Sequence, residues 1–132
     1  LNNITNYIQS ICENISNVLD VDVTLVTNDL TRIAGTGIFK EKIGETISEK
    51  SAYSMVLQTG ESYVIVKELD EKCNNCSNRK NCKELADICT PVMLEDQILG
   101  ILGVAAFSEE QKNNILSKDK DLTEFIKSMS DL

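Results

Sequence analysis

The run "QILGILGVAAF" constrains the fold most. Its apolar part, Ile98 to Phe107, is the longest apolar stretch in the chain. It is far short of the roughly 18–20 residues that cross a bilayer. It is β-rich and apolar at both odd and even positions. A strand of that kind has no face for water, so it belongs at the centre of a sheet with elements packed on both sides. Just before it, "CTPVMLE" reads as a second strand, and the break at Glu95–Gln97 as a tight hairpin turn. The 132 residues are enough for one domain with a real core and too few for two.

The rest of the chain supplies the layers around that hairpin. Ile4, Ile8, Ile11, Ile15 and Val18 recur at steps of 4, 3, 4 and 3, which predicts a helix over residues 2–19. "VDVTLVT" (21–27) alternates as a strand, "NDLT" (28–31) is turn chemistry, and "RIAGTG" is a short second strand. Residues 38–47 fit no single pattern. Residues 48–59 read as helix, with Gly60 as its left-handed cap, and "SYVIVKEL" (62–69) as a third strand. Lys83–Ala86 suggests a helical turn. Ser108 caps a last helix, with Gln111 three residues on completing a capping box. That helix is expected to run over 109–132, roughly 36 Å at ~1.5 Å per residue. The expected architecture is α+β, a two-layer arrangement of one five-stranded antiparallel sheet flanked by N- and C-terminal helices.

The net charge is −8, so a nucleic-acid partner for this stretch is not expected; phosphate binding needs a basic face. No membrane partner is expected either. The sequence holds no histidine, which removes Ser–His and Cys–His nucleophile pairs and His-ligated haem. Walker loops, GxGxxG and HExxH are also missing, and the carboxylates are scattered as on a solvated surface. The chain is therefore expected not to be an enzyme. It begins with Leu, as a piece of a longer protein would.

Four of the five cysteines form "CNNCSNRKNCKELADIC", with the spacing Cys-x2-Cys-x5-Cys-x6-Cys over Cys73, Cys76, Cys82 and Cys89. An odd count beside long helical patterns argues against a secreted disulfide scaffold and for a reducing cytoplasm. Four thiolates suffice for tetrahedral zinc or for a 4Fe-4S iron-sulfur cluster. Only one CxxC is present, which favours a cluster over a zinc ribbon. Lys72, Arg79, Lys80 and Lys83 are four of thirteen basic residues, gathered in twelve positions. They would offset the net negative charge of such a centre. A thiol–disulfide switch and plain structural cysteines are the other readings of the same residues. Cys12 reads as a small packing residue of the first helix. Gly100 and Gly103 mark either room for a ligand beside the sheet or a close approach of a neighbouring element. Tyr53 and Tyr63 are candidates for a pocket wall.

The element order, "VLQTGESYVI" (56–65) and "ICTPVMLEDQILGILGVAAFSEEQ" (88–111) resemble the PAS/GAF superfamily of cytoplasmic sensor domains. With the cysteine loop (70–88) the chain resembles the N-terminal sensor of clostridial-type enhancer-binding transcriptional activators. That resemblance implies AAA+ and helix-turn-helix DNA-binding domains downstream, and an exit helix over 109–132 that carries a signal to them. The Asn-Lys…Phe…Asp-Glu signature of cyclic-nucleotide GAF domains and the Gly-x-Asn-Cys-Arg-Phe helix of flavin light sensors are absent, so no flavin is expected. The expected function is sensing by the cysteine centre; the alternatives are a small-molecule module with a structural metal or thiol switch, and a ligand-free dimerisation module. A homodimer seam is expected from Ile4, Ile8, Ile11 and Ile15 with Leu122, Phe125 and Met129. Packing of the same helices on the chain's own sheet is the competing role.

Overall fold

The computed structural model describes residues 2–66, 84–117, 120, 121 and 124. Helix α1 (Asn2–Leu19) leads into β1 (Asp22–Thr27) and β2 (Arg32–Gly35). A short 3-10 helix (Gly37–Lys42) and α2 (Ala52–Thr59) precede β3 (Tyr63–Val66). Then come β4 (Ala86–Leu94), β5 (Gln97–Ala106) and α3 (Glu109–Ser117). The five strands form one antiparallel sheet in the order β2-β1-β5-β4-β3. β5 takes the centre, and Gly100 through Ala106 are all buried, as its two-sided apolarity requires.

Strand alternation divides the core in two. Val23, Ala34, Ala86, Ile88, Leu102, Val104 and Ala106 face α1 and α3 and meet Cys12, Ile15 and Ile115. Val26, Cys89 and Ile101 face α2 and meet Tyr53 and Val56. The register pins this division. Thr24 pairs with Gly103, Gly103 with Cys89, and Cys89 with Tyr63 in one row across the sheet.

The local signals explain the element ends. Ser51 Oγ accepts from the Ser54 N–H at 3.4 Å and starts α2. Gly60 ends it in the left-handed region at φ 71°, its N–H bonded to the Val56 carbonyl at 2.7 Å. Ser108 Oγ accepts from the Gln111 N–H at 3.1 Å, while the Gln111 side chain reaches back to the Phe107 N–H at 2.8 Å. The capping box therefore closes one residue earlier than its usual form.

Several boundaries differ from expectation. α2 starts at Ala52 rather than 48, because Ser48 turns the chain through bonds to the Lys50 and Ser51 N–H groups. The ambiguous 38–47 stretch holds all of the 3-10 helix but its first residue, Gly37, and a bridge from Thr46 to Thr31. Glu84–Ala86 is not helical: the Leu85 N–H donates to the Ala106 carbonyl at 2.7 Å, and β4 begins at Ala86. The expected loop 70–88 thus gives up 86–88 to the sheet. Pro91 lies in β4 beyond the last β3 pair, Tyr63–Cys89, where β5 is the one strand paired with β4 among the described residues. Val18 is 74% exposed, and Cys12 and Leu19 turn inward instead. A straight helix drifts about 20° per heptad from a 3.5-residue seam, enough to carry Val18 off the buried face.

Candidate functional site

The two faces of the sheet differ in chemistry. Between α1 and the sheet lies a cavity of about 260 Å³, lined by apolar side chains such as Ile8, Ile11, Leu25, Val92 and Leu102. The face under α2 instead gathers polar groups from four elements: Thr24 of β1, Arg32 of β2, Asp87 and Cys89 of β4, and Tyr53 and Ser54 of α2, all buried.

Tyr53 organises this face. Its hydroxyl donates to Asp87 Oδ2 at 3.1 Å. Its ring sits where Gly103 has no side chain, since a Cβ there would lie 2.4 Å from the Tyr53 Oη. Gly103 is thus a close-approach glycine. Gly100 is another, its missing Cβ leaving space for the Val26 carbonyl. On the other side, the Cys89 thiol donates to Asp87 Oδ1 at 3.6 Å. Burial pushes the Asp87 carboxyl well above the usual carboxylate range, and the charge and hydrogen bond of neighbouring Glu84 push it further. Burial likewise raises the Tyr53 hydroxyl, followed by Asp87, Cys89 and Glu84, with the Arg32 cation opposing them.

Arg32 is held from two sides. Its Nε donates to Thr24 Oγ1 at 3.0 Å, and the Thr24 hydroxyl passes its own proton to the Ala34 carbonyl at 2.8 Å. The guanidinium lies 4.5 Å from the centroid of the Phe39 ring. Phe39 is braced edge-on by Phe107 at 5.2 Å between centroids. Sequence reasoning missed Arg32, Thr24, Ser54 and Asp87. The only cue was the alternation in "RIAG" and "ADIC", which places Arg32 and Asp87 on one face of their strands.

The cysteine expectations divide. Cys73, Cys76 and Cys82, with Lys72, Arg79, Lys80 and Lys83, lie outside the described residues. Cys89 is fully buried within a nine-residue strand, not at its mouth. Among the described residues no three or more of His, Cys, Asp and Glu are arranged to hold a metal ion. Cys12 is a core residue at 1% exposure, as its place on the helix suggested. Tyr63 bonds Thr59 at 3.0 Å near the open end of α2. Of the expected seam, Ile15 is buried against the chain's own sheet and Ile8 and Ile11 pack partly against it. The side chain of Ile4 and residues Leu122, Phe125 and Met129 lie outside what is described. The helical residues of 118–132 that are described are 120, 121 and 124. No described helix is long and apolar enough to cross a membrane.

No family model matches the chain. Over 125 residues, 93% of its length, it is 30% identical to the putative uric acid sigma-54-dependent transcriptional regulator UacR of Escherichia coli K12. The chain spans only 21% of that protein. Among solved structures, the A. aeolicus nlh2 GAF domain in an inactive state matches with a TM-score of 0.71 at 14% identity, over 96% of this chain and 80% of that one. The GAF domain of the Acinetobacter phosphoenolpyruvate-protein phosphotransferase matches at 0.65 and 14%, over 86% and 75%. The type II free methionine-R-sulfoxide reductase of Thermoplasma acidophilum matches at 0.67 and 12%, over 96% and 86%. The fold is that of GAF domains.

Proposed function

We propose that the chain is the signal-sensing domain of a sigma-54-dependent transcriptional regulator, and that its signal is a small oxidised purine of the uric acid kind. The similarity to UacR over nearly the whole chain carries this reading. The buried polar face under α2 supports it, because a hydrophobic core has no need of an arginine, an aspartic acid and three hydroxyl groups. The domain acts without catalysis, in the cytoplasm, upstream of AAA+ and DNA-binding domains. Signalling is a population shift: the ligand favours one packing of α2 on the sheet, and the terminal helices pass that bias on. Calorimetric titration of the domain with urate, xanthine and hypoxanthine tests the reading. Saturable heat for urate is expected; its absence for every oxidised purine overturns the purine assignment.

The cysteine set Cys73, Cys76, Cys82 and Cys89 is proposed as a second input, an iron–sulfur cluster or zinc. The supporting observation is the position of Cys89 beside Asp87 and under Tyr53, which would tie such a centre to the ligand face. Ligation requires the thiolate form of all four. Anaerobic purification with metal and sulfide analysis tests it, and a metal-free wild type would sink it. A homodimer is proposed through the outer face of α1, where Tyr7 is 67% and Val18 74% exposed. Sedimentation should show dimers that Tyr7→Asp converts to monomers; a monomeric wild type removes the idea.

A further inference from the structure

Arg32 is 6% exposed and makes one side-chain hydrogen bond, to Thr24. No carboxylate lies within ion-pairing distance of it among the described residues, and its outer Nη edge has no acceptor there. A buried cation left so is costly unless something else compensates it. Two carboxyls share the face and neither pairs with it: the oxygens of Asp87 receive Tyr53 and Cys89, and those of Asp22 receive Thr36 and Gln111. Thr24 and the Phe39 ring meanwhile fix the guanidinium's position and plane, so its fork is oriented before any ligand arrives. On the central strand Tyr53 covers Gly103, and the next residue on this face is the small Ala105, between Asp22 of β1 and Asp87 of β4.

We propose that Arg32 is an anion-binding residue, and that the face under α2 takes a small planar organic anion whose adjacent acceptor oxygens or nitrogens engage the outer edge of the guanidinium. Urate is one member of the class; small carboxylates are others. The inference rests on the reading that the domain binds a small-molecule signal. It adds the charge of that signal and the residue that selects it. Neutral purines lack the charge that the buried cation calls for, so they bind weakly and without regard to Arg32.

The test uses wild type, Arg32→Met and Arg32→Lys, with sodium urate, sodium succinate, sodium benzoate and hypoxanthine as probes. Without ligand, Arg32→Met should melt above wild type, because methionine keeps the stem over Phe39 and removes an uncompensated charge. A lower melting temperature for Arg32→Met means the guanidinium is already satisfied, and overturns the proposal. With ligand, urate should stabilise wild type and bind Arg32→Met about 30-fold or more weakly. Arg32→Lys should fall between them, keeping the charge without the fork. Equal urate affinity in wild type and Arg32→Met leaves the sensor reading standing and overturns the role of Arg32. Stabilisation of wild type by succinate or benzoate alone, lost in Arg32→Met, upholds Arg32 and sinks the purine assignment. No stabilisation by any of the anions overturns both.

Discussion

The face of the sheet under α1 and α3 and the face under α2 are built from the same strands, one residue apart. In β4 the first takes Ala86 and Ile88 and the second Asp87 and Cys89. The first is closed by aliphatic side chains and holds an apolar hollow against α1. The second is closed by hydrogen bonds: Tyr53 to Asp87, Cys89 to Asp87, Arg32 to Thr24. Apolar packing is tolerant of direction, whereas each polar contact fixes an orientation, and the one that joins α2 to the sheet, Tyr53 to Asp87, is lost if α2 moves. The first face is suited to stability and the second to discrimination between states.

That contrast can be broken by substitution. Ile115→Ala, at a fully buried position of the apolar face, should cost about 2–5 kcal/mol in chemical denaturation. A loss as small as that of a surface site would mean that α3 contributes little to the core. Gly103→Ala on the polar face drives a Cβ onto the Tyr53 hydroxyl and should cost about 1–3 kcal/mol. Tyr53→Phe combined with it should recover part of that loss, since the colliding oxygen is gone. Thr90 sharpens the comparison from the other side. It faces the apolar half, paired with Leu102, and its buried hydroxyl has no hydrogen-bond partner among the described residues. Thr90→Val should therefore stabilise the domain by about 1 kcal/mol; a destabilised variant would reveal a partner for that hydroxyl.

Asp87 gives the polar face a pH signature. Its raised pKa means that the folded chain holds a proton that the unfolded chain releases from the ordinary carboxylate range upward. The stability it contributes is full in acid and is lost as pH rises through the folded-state value. Asp87→Asn should flatten that slope and leave the variant more stable than wild type at alkaline pH; an unchanged slope would assign it to another group. The smallest effect belongs to Cys12, whose thiol burial pushes up to about 11, with Glu13 adding to it. Iodoacetamide at pH 8 should leave it unmodified in the folded chain and label it on unfolding, as read by mass spectrometry.

What was legible in the sequence follows the same division. The hairpin of β4 and β5, the α1 periodicity and the Gly60 cap were readable because each depends on neighbours along the chain. The GAF-like order of elements followed from them. Asp87 and Arg32 were not readable as buried groups. Each sits in a polar stretch, and only strands paired from distant parts of the chain enclose them. Val18 was misplaced because five evenly spaced apolar residues outrun the arc that one straight helix can bury. Cys89 was expected at a strand's mouth because the strand was begun at Cys89, three residues after its start at Ala86, with 86–88 read as part of the polar loop.

Gly103 brings Tyr53 down onto the backbone of the central strand itself, and its chain neighbours Leu102 and Val104 point the other way, into the cluster shared by α1 and α3. The polar face and the helix packing are thus separated by the thickness of a single peptide plane. The Tyr53 ring rests on the same strand whose Leu102 and Val104 side chains meet the residues of α1 and α3. The polar face and the helices on the far side meet through the floor of the sheet, not around its edge.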